Sequence, residues 1–152
     1  MPAAPGVVAC ATMGAMTVAP FREPQDVIET LNATLNAHDV AAGRALYDAE
    51  ARLVMATGKR VDLEGLCRML TGTLAAFPDL HMTVLRWVID GETVVTEEVM
   101  EATHRGAFAG IAPTQRRVRV PMVHVSRVRG GRIVERVAYH DTAAIVRQIE
   151  VT

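Results

Sequence analysis

The sequence predicts an α+β fold in which a strongly curved sheet, antiparallel or mixed, is covered by helices. Two observations support this prediction. In the first half of the 152-residue chain, apolar residues recur at helical spacing, whereas from residue 80 onward they alternate with polar residues as in strands. The second half also contains two glycine turn signals, Asp90-Gly91 and Gly130-Gly131, each flanked by long strand-like segments. We therefore expect three helices near the N-terminus, four long strands and a short C-terminal helix.

The composition is typical of one globular domain. Apolar residues make up 50% of the chain and charged residues 22%, and the net charge of −1 argues against electrostatic binding of nucleic acids. Residues 1–20 lack the basic start and continuous apolar stretch of a signal peptide. We therefore expect a flexible tail there, no membrane association, and a single domain at residues 21–152. The two cysteines have no metal-type spacing and favour a cytoplasmic location.

The helices of the first half are predicted from their start and stop signals. Pro24 suits the first turn of a helix. Asp39 and Asp62 are suitable N-caps, and Pro78 prevents continuation of the third helix. We predict helices at residues 24–38, 40–47 and 62–76, with a short strand at residues 52–56. These segments are expected to cover one face of the sheet.

The second half is predicted to form two hairpins. Their strands are expected at residues 80–89, 92–104, 117–129 and 132–140. A loop at residues 105–115 separates the hairpins because it contains two glycines and a proline, and Asp141 is the predicted N-cap of the last helix. Successive side chains of a strand point to opposite faces, so function depends on which of them reach the concave face.

Glu98 and His124 are the ionisable residues predicted to interrupt the apolar concave face. Glu98 alternates in phase with Met100, and His124 alternates in phase with Met122. A buried carboxyl group is expected to have a raised pKa and to act as an acid or a base, while a neutral imidazole can accept a proton or donate to an enolate. A slip of one residue would place Glu97 inside instead of Glu98. The structural alternative for His124 is a core histidine bonded to a neighbour.

Several apolar and aromatic residues are predicted to line the pocket. Their side chains can hold a ring-shaped ligand, although such residues more often fill a core. Tyr139 and His140 alternate in facing, so one of them is expected at the mouth of the pocket. The predicted lining consists of Met55, Trp87, Met100, Phe108, Met122 and Tyr139.

Four short segments of the chain match a known family. They are Asn36-Ala37-His38-Asp39, Phe77-Pro78-Asp79-Leu80-His81, the loop from Thr103-His104-Arg105-Gly106 to Pro113-Thr114, and Gly131-Arg132-Ile133-Val134-Glu135. These segments resemble the SnoaL-like polyketide cyclases, and the resemblance covers residues 23–150. It implies the nuclear-transport-factor-like cone that ketosteroid isomerase and limonene epoxide hydrolase share. It also implies an intramolecular aldol cyclisation that needs no metal and no organic cofactor.

The resemblance also suggests roles for individual residues. His124 corresponds to an oxyanion-stabilising acid of the isomerases, and Glu98 corresponds to an arginine position of the epoxide hydrolase. Asp141 matches the acid that closes the family's final strand, although an N-cap is the simpler role. His104 lies in the loop motif and can orient the loop or a substrate oxygen. Ala138 replaces a second acid of the family, so Glu98 or His124 must substitute for it in a catalyst.

Three functions remain open from the sequence. The leading one is a cofactor-independent cyclase or isomerase for a small apolar or polyketide-like carbonyl compound. Its catalytic residues would be Glu98, His124, Asp141 and His104. The second is an epoxide hydrolase or epoxide-opening cyclase. The third is a noncatalytic small-molecule-binding protein, because acid positions of the relatives are apolar here at Met55, Met100 and Ala138. The resemblance further implies a homodimer that pairs through the outer sheet surface.

Overall fold

The computed structural model describes residues 23–150, and the tail predicted at residues 1–20 lies outside this part of the chain. The described residues form an α+β arrangement, which confirms the predicted fold class. In chain order, the elements are α1 (Pro24–Asn36), α2 (Val40–Arg44), β1 (Tyr47–Val54), β2 (Arg60–Val61), α3 (Leu63–Ala76), β3 (His81–Asp90), β4 (Thr93–Thr103), β5 (Arg117–Arg129), β6 (Arg132–His140) and α4 (Thr142–Ile149). Among these residues, the helices are too short or too polar to cross a membrane.

The strands of the described residues form one mixed sheet in the order β2-β1-β6-β5-β4-β3. Neighbouring strands are antiparallel except for β1 and β6, which run parallel. β5 and β6 occupy the predicted residues. Both hairpin turns use glycines with positive φ angles, 54° at Gly91 and 58° at Gly130, as their turn type requires. The adjacent strands β4, β5 and β6 carry the candidate site.

The chain leaves α2 earlier than predicted. We expected this helix to include Tyr47, but it ends at Arg44 and β1 begins at Tyr47. The N–H of Ile133 on β6 donates to the carbonyl oxygen of Leu46 at 2.9 Å, so pairing with β6 draws the chain into the sheet. The strand predicted at residues 52–56 is therefore too short, and the two-residue β2 was not predicted. Long-range pairing outweighs local helix preference here.

Two of the three predicted aspartate caps are formed by side chains. Asp39 accepts a hydrogen bond from the N–H of Ala42 at 2.9 Å, which starts α2. Asp62 accepts one from the N–H of Gly65 at 2.7 Å, which starts α3. Asp141 precedes α4, but its carboxylate makes no cap hydrogen bond. The start of α4 therefore lacks the side-chain cap that we predicted.

The corner after α1 ties this helix to β3. α1 ends at Asn36, before the predicted end, because His38 adopts a left-handed φ of 57°. The side-chain amide of Asn36 bonds both main-chain groups of Met82, at 2.8 and 2.9 Å. Nε2 of His38 lies 2.8 Å from the carbonyl oxygen of Leu80. These bonds hold α1 against the concave side of the sheet.

A bulge in β6 changes which of its side chains face the concave side. The register shifts between Arg127 and Val128 of β5, which leaves Val134 of β6 as an extra residue. Beyond this bulge, the even-numbered residues of β6 share the concave side with the even-numbered residues of β5. Ile133 is buried, so simple alternation along β6 would place the odd-numbered residues on the concave side.

Two apolar clusters fill the space between the sheet and the helices. The α1 cluster consists of Val27, Ile28, Leu31, Tyr47, Leu53, Leu66, Val94, Val128 and Ile133. The α4 cluster consists of Ala76, Phe77, Leu80, Met82, Met100, Ala102, Val118, Val120, Met122, Ile145 and Ile149. Along β4 and β5, the concave side chains between the two clusters are those of residues 96, 98, 124 and 126, and these are polar.

Candidate active site

A belt of polar side chains crosses three strands between the α1 and α4 clusters. In the strand register, Thr96 of β4 pairs with His124 of β5, and Ser126 of β5 pairs with Arg136 of β6. Glu98 lies two residues beyond Thr96 and faces the same side. We call this set the polar belt, and its members are Thr96, Glu98, His124, Ser126 and Arg136.

Glu98 and His124 meet inside the cone. Oε2 of Glu98 lies 3.2 Å from Nδ1 of His124, and the two side chains are 0% and 13% exposed. Oε1 of Glu98 accepts a hydrogen bond from the hydroxyl of Thr96 at 2.5 Å. The contact between Glu98 and His124 is bent, so neither Oε2 nor Nδ1 has a well-formed hydrogen bond. Glu97 faces the other side, where it pairs with Arg86.

The pKa of Glu98 lies below its ordinary value, whereas burial led us to predict a raised one. Burial does raise this pKa, but the contact with His124, the charge of Arg136 and the hydrogen bond from Thr96 lower it by more. A guanidinium stays protonated throughout the physiological pH range, so the effect of Arg136 does not depend on the state of His124. Glu98 is therefore a carboxylate at neutral pH.

His124 is a neutral imidazole at the same pH. Burial and the charge of Arg136 lower the pKa of His124, and they outweigh Glu98, which raises it. Because a carboxylate only accepts hydrogen bonds, we assign the ring proton of His124 to Nδ1. Nε2 then carries a lone pair that can accept a proton from a ligand.

Arg136 is the third charged member of the polar belt. It is 7% exposed, and its Nη1 donates to the hydroxyl of Ser126 at 2.8 Å. It takes part in none of the ion pairs within residues 23–150. Its charge nevertheless acts on Glu98, His124 and Tyr47, and the pKa of Tyr47 is raised because burial outweighs this charge. Buried charges in proteins are normally paired, so this arginine is unusual.

Further buried polar atoms near the concave side lack hydrogen-bond partners among the described residues. Both polar side-chain atoms of Asn32, on the buried face of α1, are in this state, and so is Nδ1 of His140 on β6. His140 pairs with Met122 in the register, which places it on the concave side. Burial lowers the pKa of His140, although Asp141 raises it. Unpaired buried polar groups of this kind are typical of ligand sites.

Five of the six predicted lining residues lie on the concave side. Met100 and Met122 belong to the α4 cluster, and Phe108 packs against it. Met55 and Trp87 pack against the α1 cluster. These side chains therefore supply apolar surfaces on both sides of the polar belt.

Tyr139 lies outside the cavity, contrary to its predicted place in the lining. Its side chain is 57% exposed, and it pairs with Val123, whose side chain also points away from the concave side. The extra residue Val134 shifts the facing of β6 by one position. His140 therefore takes the inward position that we assigned to Tyr139.

His104 holds the loop that follows β4. Its ring is fully buried, Nδ1 accepts a hydrogen bond from the N–H of Thr114 at 3.3 Å, and the ring centre lies 5.5 Å from that of Phe77. Its main chain bonds those of Arg116 and Gln115, each at 2.9 Å. His104 thus joins the two ends of the loop, and the apolar Met100 and Ala102 separate it from Glu98 along β4.

Asp141 is placed at the surface. Its side chain is 59% exposed and pairs with Arg147 at 2.6 Å. The hydrogen bond from Arg147 lowers the pKa of Asp141, so the carboxyl group is ionised at neutral pH. The structure does not bring Asp141 into the polar belt.

Ala138, which replaces a family acid in the resemblance, pairs with His124 in the strand register. It is buried on the concave side. The carboxylate reaches His124 from β4 instead, through Glu98. A carboxylate therefore contacts the imidazole although position 138 has none.

Thr96, Asn32 and Arg136 are site residues that sequence reasoning missed. Thr96 could have been found, because it alternates in phase with Glu98. Arg136 could not, because simple alternation along β6 places it outside until the bulge at Val134 is known. Asn32 resembles any polar residue of a helix until the packing of α1 is known.

Neither a metal-type cluster of side chains nor a surface groove within the described residues coincides with the polar belt. Within residues 23–150, His, Cys, Asp and Glu side chains form no group of three that could hold a metal ion. A groove of about 640 Å³ lies between α2, β1 and the start of α3, and it does not include the polar belt. Charged residues such as Arg44, Glu64 and Arg132 line this groove. It is a surface feature separate from the candidate site.

Known proteins and structures resemble this chain over almost its whole described length. The family model for SnoaL-like polyketide cyclases matches residues 25–149. IdmH, a proposed polyketide cyclase from Streptomyces antibioticus, is 33% identical, with 86% of this chain and 100% of that chain covered and a TM-score of 0.77. AclR, a proposed hydroxylase from Streptomyces galilaeus, is 22% identical, with 85% and 96% covered and a TM-score of 0.79.

A protein from Catenulispora acidiphila with a ketosteroid isomerase-like fold is 21% identical to this chain. The match covers 84% of this chain and 94% of that chain, with a TM-score of 0.69. No curated protein matches the sequence. These similarities support the cone-shaped α+β fold.

Proposed function

The chain belongs to the SnoaL-like polyketide cyclase family. From this premise we propose that it is a cofactor-independent enzyme that catalyses an intramolecular aldol cyclisation, or a related isomerisation, of a small polyketide-like carbonyl compound. The observation that supports this most directly is the 3.2 Å contact between Glu98 and His124 in the polar belt that lies between the two apolar clusters. An aldol reaction needs a base for a carbon acid, and this pair can supply one.

In the proposed reaction, Nε2 of His124 removes a proton from the carbon next to a substrate carbonyl. Glu98, whose Oε2 lies 3.2 Å from Nδ1, orients the ring and, as a carboxylate, stabilises the imidazolium that forms. The enolate carbon then attacks a second carbonyl of the same molecule, a C–C bond forms, and the resulting alkoxide takes the proton back from Nε2. Proton and charge are thus balanced within one cycle.

The pKa directions agree with these roles. A base must be unprotonated when the substrate binds, and burial together with the charge of Arg136 lowers the pKa of His124. Glu98 stays ionised, so it is suited to orient and stabilise the imidazolium and poorly suited to donate a proton. Apolar residues on both sides of the belt keep water from the pair and strengthen electrostatic effects.

Epoxide opening is the less favoured enzymatic alternative. That reaction requires an acid that protonates the epoxide oxygen. The pKa of Glu98 is lowered, so it is a poor acid at neutral pH, and Met100 and Ala138 are apolar at the positions where the resemblance places acids. A noncatalytic binding protein remains the other alternative, and the experiment below separates all three.

The decisive experiment compares Glu98→Gln with Glu97→Gln. The two glutamates are neighbours on β4, but Glu98 is buried beside His124 whereas Glu97 pairs with Arg86 on the other face. We expect Glu98→Gln to lower turnover of a tricyclic polyketide with an unclosed ketone side chain by about 10²–10⁴-fold, and Glu97→Gln to leave it unchanged. Turnover is measured as product formed per folded protein.

Three outcomes would contradict this proposal. Full activity of a folded Glu98→Gln/His124→Ala double variant would show that the pair is not the base. Turnover of terpene epoxides without any aldol activity would favour the epoxide reaction instead. Tight ligand binding without turnover of either substrate class would favour the noncatalytic protein.

We further propose that the protein is a homodimer that pairs through the outer sheet surface. Several large apolar side chains on that surface are exposed, namely Leu85, Val88 and Tyr139. Burial of such side chains at an interface is favourable. Light scattering of the wild type and of Val88→Glu measures the oligomeric state. The charged variant is expected to be monomeric and the wild type dimeric. A monomeric wild type would exclude the dimer.

A further inference from the structure

We propose that Arg136 binds a carboxylate of the ligand, so that the substrate is an apolar carbonyl compound that also carries a carboxylate group. The proposal rests on the function proposed above and names the substrate class of the same site. It starts from a guanidinium that lies buried beside two apolar clusters, with a neutral hydroxyl as its hydrogen-bond partner.

Most donors of Arg136 remain unused. A guanidinium has five N–H donors, and the hydrogen bond from Nη1 to Ser126 uses one. No other residue in the described part of the chain accepts a hydrogen bond from it. None of its nitrogens is both sealed from solvent and unpaired, in contrast to the atoms of Asn32 and His140. The remaining donors are therefore not sealed from solvent-accessible space.

The nearby carboxylate, Glu98, is not a direct partner of Arg136. Its Oε1 accepts from Thr96 and its Oε2 contacts His124. The charge of Arg136 lowers the pKa of Glu98, so the two charges interact through space without an ion-pair contact. A buried guanidinium with only this distant compensation is costly, and an anion that pairs with it directly would remove that cost.

A carboxylate fits this position better than a neutral oxygen. Its two oxygens match two adjacent N–H donors of a guanidinium, and such charged, two-point hydrogen bonds are shorter and stronger than neutral ones. Arg136 lies opposite Ser126, two residues from His124 on the same side of β5. Anchoring a carboxylate there would leave the acidic C–H of the same small molecule within reach of the imidazole.

The competing explanation is that Arg136 acts only on the protein itself. Its charge lowers the pKa values of Glu98 and His124, and this effect alone gives it a structural role. That role predicts no preference for anionic ligands. Ligand preference therefore separates the two explanations, whereas loss of activity in an Arg136 variant does not.

The experiment uses 2-naphthoate and 2-naphthamide, which share one ring system and differ in charge. Their affinities are measured by calorimetry at neutral pH for the wild type, for Arg136→Met and for Arg127→Met. Arg127 is an exposed arginine of β5 on the outer face, so its variant makes the same charge change away from the cavity. The wild type and Arg127→Met are expected to bind the naphthoate about ten to a hundred times more tightly than the amide.

Arg136→Met is expected to lose this preference while its affinity for the amide changes little. Equal affinity of the wild type for both probes, no binding of the naphthoate at millimolar concentration, or a preference that survives in Arg136→Met would each overturn the proposal. If Arg136→Met does not fold, Arg136→Gln replaces it. The affinities of the wild type for the naphthoate and the amide still test the proposal, because equal values would overturn it.

The same probes separate this proposal from the proposed catalysis. His124→Ala is expected to lose turnover but keep the preference for the naphthoate, because the base is removed and the guanidinium remains. Suppose that His124→Ala loses turnover as expected but both probes bind with equal affinity. The proposed role of Arg136 would then be wrong, and the proposed role of His124 as the base would stand. Preference for the naphthoate with unchanged turnover in His124→Ala would overturn the proposed base alone.

Discussion

His104 and His124 lie on the same concave side of the sheet, but their surroundings differ. His104 is bonded by the main chain of its own loop through Thr114, and its ring packs near Phe77. His124 contacts a charged side chain from another strand, Glu98, in a bent geometry at 3.2 Å. The partners of His104 are therefore local, whereas the state of His124 depends on charges that three strands bring together.

This difference separates a polar group that maintains the fold from one that is available for chemistry. The main-chain N–H of Thr114 occupies Nδ1 of His104 and fixes this ring in its loop, although its Nε2 is buried without a hydrogen-bond partner among the described residues. A histidine between a carboxylate and a guanidinium has a pKa that responds to both charges, and one ring nitrogen of His124 remains free for a ligand. The sequence motif that contains His104 is the more specific one, yet the belt around His124 is the better candidate for chemistry.

The largest expected effect concerns turnover. We expect His124→Ala to lower turnover by about 10²–10⁴-fold, because the base is lost. His104→Ala should lower it only in proportion to the protein that unfolds, because His104 acts through the loop. Turnover per folded molecule, with the folded fraction taken from circular dichroism, tests the contrast. A folded His104→Ala protein as inactive as His124→Ala would erase the distinction between the two histidines.

The next effect concerns stability. His104→Ala should lower the free energy of unfolding by about 2–4 kcal/mol, because a buried ring is deleted and the loop loses its hydrogen bond. Thr114→Val, which keeps the ring and removes only the hydroxyl that lies 3.0 Å from Nδ1, should cost about 1 kcal/mol. Urea denaturation measures both variants. A loss for His104→Ala no larger than that for Thr114→Val would mean that the ring contributes little.

Gly106, in the loop that His104 holds, provides a sharper test of that loop. A Cβ atom at Gly106 would lie 2.3 Å from the carbonyl oxygen of Ala75, which is too close for any side chain. Gly106→Ala should therefore cost about 1–3 kcal/mol. Gly72 of α3 has open space around it, so Gly72→Ala should stabilise by about 0.5–1 kcal/mol. Thermal denaturation of both variants checks the opposite signs.

A smaller effect compares two carboxylates at helix starts. Asp62→Ala should lower the free energy of unfolding by about 0.5–2 kcal/mol, because its carboxylate accepts a hydrogen bond from the N–H of Gly65. Asp141→Ala should cost less, because the ion pair between Asp141 and Arg147 is exposed to solvent. The same urea experiment ranks the two, and the reverse order would show that Asp141 contributes more than its surface position indicates.

The most subtle prediction concerns the titration of His124. Its NMR midpoint should lie below that of an ordinary histidine, since burial and Arg136 lower its pKa. Arg136→Met should raise the midpoint because a nearby positive charge is removed. Glu98→Gln should lower it further because the stabilising carboxylate is lost. An unchanged midpoint in Arg136→Met would mean that the charge of Arg136 does not affect the pKa of His124. It would contradict the description of these residues as one polar belt.

Local rules predicted a large part of the fold from the sequence. Glycine turns set the hairpins, so β5 and β6 begin and end at the predicted residues. Asp39 and Asp62 form the predicted caps. Each of these features depends on residues that are close in sequence, which is why a single sequence suffices to find them.

Alternation within a strand also placed Glu98 and His124 on the concave side, because the direction of a side chain repeats every two residues in an unbroken strand. Only the tertiary structure decided the rest of the site. The bulge at Val134 arises from how β6 pairs with β5, and it turns Arg136 and His140 inward and Tyr139 outward.

The same inward arginine reverses the expected pKa shift of Glu98, because the electrostatic energy of a buried group depends on charges that are distant in sequence and close in space. The sequence alone therefore determined the cone and two of its polar residues. The contacts between strands determined which charges surround those residues, and hence what chemistry they can perform.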